Sequence, residues 1–244
     1  MAYFGIALPE DAQTNFLMFL RLIHLVTGIT WIGLLYFFNL VSFPLMKDVD
    51  PATGGKIMPA LMLRALWWFR WSALLTVLSG LMYWGSVVSG AAEKAQASSG
   101  TAMASFFLIW TLAWAILYAL LLPSKGLLDN GLVLGVLVAI VVTAAAYFFL
   151  RLNAHGWESN RMLAIGIGGG IGWVMLLNVW GVVWRIQKRL IAWTKANAEN
   201  GTPIPEQSQR MARISFLTSR ISAFLSIPLL FFMGAATHYT MFSS

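Results

Sequence analysis

The chain has 244 residues, of which 59% are hydrophobic and 10% charged, with 16 Lys and Arg against 9 Asp and Glu and a mean hydropathy of +0.75. Soluble domains carry about 25% charged residues, so this composition belongs in a bilayer and excludes a soluble enzyme. There is no cysteine, which rules out haem attached through C-x-x-C-H, iron–sulfur clusters, thiolate zinc and disulfides.

The N-terminal tail, MAYFGIALPEDAQTN, lacks a basic region and a small-residue cleavage site, so no removable signal peptide is expected. Six apolar stretches follow, and they predict an all-α, polytopic membrane bundle made of one domain over 1–244. The first span covers about 16–43 and ends before Pro44. Residues 52–66 (ATGGKIMPALMLRAL) are expected to form a short amphipathic piece on the inner surface, interrupted by Pro59. Spans two to five cover about 67–88, 103–122, 132–150 and 162–184. The fifth is expected to continue as a helix through RIQKRLIAWTKANAEN and to stop at Gly201. The stretch 202–205 then turns the chain, and Pro205 with Glu206 suits the first turn of the next helix. The last span covers about 216–239, with a kink expected at Pro228.

Basic residues set the orientation. Lys47, Lys56, Arg64 and Arg70 lie between or at the ends of spans one and two, and Lys125 between spans three and four. The basic connection 185–213 holds Arg185, Lys188, Arg189, Lys195, Arg210 and Arg213, with Arg220 just beyond. The opposite face has only Lys94, Arg151 and Arg161. Both termini are therefore expected outside, in a multi-pass protein of a bacterial inner membrane. The net charge of +7 is explained by this topology and does not point to nucleic acid; membrane lipid is the expected surrounding.

Two of the three histidines, His24 and His238, fall in the first and last spans. Intramembrane histidines normally face a bundle interior, and histidine is a common axial ligand of haem iron. With both termini outside, the two lie in the same half of the bilayer and could serve as the two axial ligands of a b-type haem. Arg21, one turn from His24, suits a propionate, while Gly28 and Trp31 offer close approach and a flat ring. Gly234 and Ala235 precede His238 by about one turn, and Arg151 and Arg161 are further candidates for propionates. His155, in the outer loop after span four, is a candidate for catalysis or ligation. The plainer readings are as concrete. His24 can bond to a carbonyl or threonine of a neighbouring helix, with Thr76, Thr111 and Thr143 available, and Arg21 can snorkel to the headgroups. Met18 and Met233 are soft ligands in principle but ordinary packing residues in most membrane helices.

The run from Gly166 to Gly172 fits no dinucleotide fingerprint and is read as a surface for tight helix packing. Trp67, Trp68 and Trp184 suit an interfacial belt, and Asn39 and Asn178 are buried polar residues without an assigned partner. No Ser/His/Asp set or paired carboxylates lies in a span, so hydrolysis has no machinery.

Three stretches carry a family resemblance. They are LRLIHLVTGITWIGLLYFFN from Leu20, NVWGVVWRIQK from Asn178 and SRISAFLSIPLLFFMGAATHY from Ser219. Together they resemble the membrane domain of bacterial cytochrome-linked urate oxidases, the urate oxidase N-terminal domain. The resemblance implies a membrane oxidoreductase that passes electrons to a c-type cytochrome on the outer side. The sequence departs from that pattern, since it has six spans where the urate oxidases are usually drawn with more, and no C-x-x-C-H. The His24 segment also resembles the first helix of the bacterial membrane protoporphyrinogen oxidase, which implies haem but no particular substrate. The expected function is a b-haem redox protein resembling urate oxidase, with a separate periplasmic acceptor such as cytochrome c. The alternative is a non-catalytic accessory subunit of a larger respiratory or photosynthetic membrane complex. A transporter is less well supported, because no inverted repeat is visible.

Overall fold

A computed structural model describes residues 9–122 and 130–242; Lys125, counted above on the basic face, lies outside them. Helix α1 (Ala12–Tyr36) starts at Asp11, whose carboxylate accepts from the Thr14 hydroxyl at 2.7 Å and the Thr14 amide at 2.8 Å. Those bonds satisfy orphan donors of the first turn and hold the Asp11 carboxyl below the usual carboxylate range. One π-helical turn, Phe37–Ser42, leads into α2 (Phe43–Asp48), so the first apolar segment is helical from Ala12 to Met46.

Helix α3 (Pro51–Lys94) corrects one expectation. Residues 52–66 are not a separate surface piece interrupted at Pro59; they are the opening turns of a single 44-residue helix. Pro59 removes one hydrogen bond near the start of a long ladder, and the turns on either side carry the helix through. At 1.5 Å per residue α3 is about 66 Å long, roughly twice the thickness of a bilayer's hydrocarbon core.

Helices α4 (Ser99–Leu121) and α5 (Gly131–Asn153) form a pair. Helix α6 (Asn160–Leu177) passes through a second π-helical turn, Asn178–Val183, into α7 (Trp184–Asn200). Gly201 ends α7 at φ 68°, a left-handed C-cap that glycine adopts without a Cβ penalty. Helix α8 (Gln207–His238) begins two residues after Pro205 and runs through Pro228. Six helical segments are thus long and apolar enough to cross a membrane, and the described residues contain no strand.

The hub is α6, which touches α3, α4, α5 and α8. In its segment 78% of the most apolar stretch is buried, against 11% for the first segment. Its glycines make this possible. Gly166 and Gly170 face α5 and α4, where an added Cβ would overlap the rings of Phe149 and Trp110. Gly168 and Gly172 face α8, where an added Cβ would come within 3.1 Å of Met233 and Phe232 at the first and 3.4 Å of Leu229 at the second. Two glycine stripes four residues apart therefore let aromatic rings and a helix backbone approach one rod from two sides. The glycine run is a packing surface, as its sequence suggested.

The two asparagines without assigned partners sit in the two π-helical turns. Asn39 donates to the Leu35 carbonyl at 2.8 Å and to Ser219 Oγ at 2.9 Å. Asn178 accepts from Trp114 Nε1 at 3.2 Å and donates to Ser222 Oγ at 3.1 Å.

Overpacking a tight site costs about 1–3 kcal/mol. Gly170→Ala is therefore expected to lower the melting temperature of the detergent-solubilised protein clearly. Gly135→Ala, with nothing within 4 Å of the new methyl, should leave it unchanged or raise it slightly. Equal effects from both substitutions would contradict the assignment of α6 as hub.

Candidate functional site: a glycine-walled cavity beneath two arginines

Helices α1, α3, α6 and α8 surround a cavity of about 760 Å³. Arg21, His24, Gly28 and Trp31 all line it, because positions 3, 7 and 10 after Arg21 return to one face of α1. Arg161 reaches it from the first turn of α6. Its walls are otherwise mostly apolar, and glycines from three helices flatten them: Gly28 and Gly33 of α1, Gly80 of α3, and Gly169 and Gly172 of α6. Leu25, Ile29 and Leu230 line it and are also exposed, so the cavity opens sideways between α1 and α8.

The His24 ring lies against Gly80, where an added Cβ would come within 2.9 Å of Cε1 and Nδ1. Nδ1 is 2.8 Å from the Thr76 carbonyl oxygen. A carbonyl can only accept, so Nδ1 carries the hydrogen and the neutral imidazole keeps its lone pair on Nε2. This carbonyl bond satisfies the plainer reading of His24, and it also fixes the tautomer and ring orientation that a metal-ligating histidine requires. The two readings are compatible in one geometry.

Both arginines converge on Tyr83. Arg21 donates to the Tyr83 hydroxyl, and its guanidinium carbon lies 4.8 Å from the ring centroid; that of Arg161 lies 5.2 Å away. Neither arginine forms an ion pair with a carboxylate among the described residues, so this pair of cations is uncompensated. Arg161 Nε and Trp31 Nε1 are buried without a hydrogen-bond partner. Leaving a buried donor unsatisfied costs about 1–3 kcal/mol. Two positive charges and the orphan Arg161 N–H around Tyr83 can receive an anionic group that accepts hydrogen bonds, while Trp31, about 15 Å further along α1, leaves its N–H deeper in the cavity.

The other candidate residues lie elsewhere. His238, the last residue of α8, is exposed and does not line the cavity, although its neighbours Ala236 and Thr237 do. Arg151 is exposed in the last turn of α5. His155 is held by Glu158, through Nδ1 to Oε1 at 3.0 Å and through its backbone amide to Oε2 at 2.7 Å. Of the two methionines, Met233 lines the cavity and Met18 is exposed. Gly80 and Tyr83 were missed from sequence. A lone glycine and a lone tyrosine on α3 carry no spacing signal until the register of α3 against α1 is known.

The cavity spans a region that the family comparison covers only in part. The family model described as urate oxidase N-terminal matches residues 54–244, which includes Gly80, Tyr83, Arg161 and all of α8 but not α1. No curated protein and no solved structure matches the chain significantly.

With no carboxylate between them, the two guanidiniums repel when no anion is present. Arg161→Gln is expected to leave the melting temperature unchanged or slightly higher in anion-poor buffer. The same substitution should abolish the stabilisation that free-base protoporphyrin, a planar dianion, gives the unaltered protein. Stabilisation of equal size in both proteins would show that the arginines do not bind the anionic groups.

Proposed function

We propose, for a chain that belongs to the urate oxidase N-terminal family, that the His24 cavity holds a b-type haem and that the protein is a membrane oxidoreductase. The observation that carries this reading is the combination on one wall of a histidine with a free Nε2 lone pair and a carboxylate-seeking arginine pair. A porphyrin needs a flat apolar slot, an axial donor and cations for its two carboxylates, and the residues present fit all three.

In this reading His24 is the iron ligand, oriented by the Thr76 carbonyl, and Gly80 lets its ring lie flat. Arg21 and Arg161 would hold the propionates, while Tyr83 spaces the two guanidiniums. His238 is outside the cavity lining, so of the three histidines His24 alone would hold the group. Haem bound there would supply one-electron transfer. The apolar walls would keep water from the bound group, and the arginines would stabilise the negative charge of its carboxylates. Electrons would leave to a cytochrome c or comparable acceptor outside these 244 residues, which contain no cysteine for covalent haem. Urate is the substrate that the family description suggests. A bacterial inner membrane, with the Arg21 end of the bundle facing outward, is the proposed location.

The test is the reduced-minus-oxidised spectrum of protein purified from membranes grown with a haem precursor. A b-type band is expected, lost or strongly shifted in His24→Ala and retained in His155→Ala. Free-base protoporphyrin should still bind His24→Ala, because the arginines remain. A b-type band unchanged in His24→Ala would overturn the ligand assignment. Cofactor-free protein that co-purifies with a larger respiratory or photosynthetic complex would favour the accessory-subunit alternative instead.

A further inference from the structure

One face of α8 carries Ser215, Ser219, Ser222 and Ser226, all buried at spacings of four, three and four residues. Each meets a polar side chain from another helix. Gln187 of α7 donates to Ser215 at 3.0 Å, Asn39 to Ser219 at 2.9 Å and Asn178 to Ser222 at 3.1 Å. Ser226 donates to the Ala223 carbonyl, so the Tyr36 hydroxyl donates to Ser226 at 2.9 Å. The rungs follow one another about 4.5–6 Å apart along the helix, a gap that one water bridges.

The ladder has a cavity at each end. Gln187 lines a second cavity of about 840 Å³, bounded by α2, the opening turns of α3, and α7. At the other end Tyr36 and Ser226 lie one turn from Gly33 and Leu229, which line the His24 cavity. An independent observation shows an unfilled hydrogen-bonding position in the middle. Asn39 Oδ1 is buried with no hydrogen-bond partner, although the same amide is tied into the ladder through its nitrogen. In their rungs Ser215, Ser219 and Ser222 accept, which keeps their own hydroxyl hydrogens available to an acceptor such as water. Both helices that face α8 here depart into a π-helical turn at the asparagine, a distortion often found at functional sites.

We propose that this ladder is a hydrated path by which water and protons pass between the Gln187 cavity and the floor of the His24 cavity. Waters seated between the rungs complete a continuous donor–acceptor chain. A proton accepted at one end is matched by one released at the other, and no atom is oxidised or reduced. The path stands whatever occupies the His24 cavity.

The absence of native cysteine makes the test clean. Single variants Ser215→Cys, Ser219→Cys, Ser222→Cys and Ser226→Cys are treated with silver ion in intact vesicles, and the unreacted thiol is then counted with maleimide after denaturation. Leu225→Cys, buried on the same helix, is the reference. Ser219→Cys and Ser222→Cys are expected to react on the order of tenfold faster than a site reached only by local opening. Rates no faster than Leu225→Cys would overturn the hydrated path. Protons are read separately with Ile32→Cys, whose thiol lines the His24 cavity. In vesicles with the two sides held at different pH, its reactivity towards an uncharged bimane should follow the pH on the Gln187 side, and Asn39→Leu should abolish that response. Reactivity that follows only the other side, or neither, would overturn the proton path.

Discussion

The architecture depends on how closely other helices can approach α6. In lipid no hydrophobic effect drives helices together, so association rests on dispersion contact and on the few polar bonds between them. Glycines at 166, 168, 170 and 172 remove the side chains that would hold neighbours away. The rings of Phe149 and Trp110 occupy one side and α8 the other. A helix glycine costs roughly 1 kcal/mol relative to alanine, so a run of them persists only where contact more than offsets it. With α6 at the centre, α8 and α3 are brought to it, and α1 is brought to α3. The cavity is the space left where these four rods are walled by glycine instead of side chains.

That cavity has a division of labour along its length. Its body is apolar and flat-walled, and one end concentrates Arg21, Arg161 with its unpaired Nε–H, and Tyr83. Uncompensated charge in a partly buried site is destabilising unless a counter-charge arrives. Binding an anion therefore supplies something the folded chain lacks. The opposite end lies one turn from the serine ladder, whose rungs are each tied to a polar side chain of another helix. One end is built to receive charge, the other to maintain a hydrogen-bonded continuity.

Much of this was legible in the sequence, for definable reasons. Span number, the continuation of the fifth segment to Gly201 and the packing role of the glycine run all follow from local composition and spacing. So did the grouping of Arg21, His24, Gly28 and Trp31, because one helix face is fixed by periodicity alone. Tyr83, Gly80 and the partners of Asn39 and Asn178 depend on the register between helices far apart in sequence, which no local pattern encodes. The continuity of α3 through Pro59 is not legible locally, because a proline signals a break while the long ladder beyond it holds the helix together. His238 follows Ala236 and Thr237, which line the cavity, yet its own side of α8 is not the one that faces it, and only packing decides that.

The central claim is that the His24 cavity is a binding site for a planar anionic cofactor. The most direct measurement is an experimental structure of protein taken from native membranes with no cofactor added. The account predicts flat density within the glycine walls, joined to His24 Nε2 and ending in carboxylates at Arg21 and Arg161. A cavity filled by a lipid tail, with the arginines turned to headgroup phosphates, would contradict it.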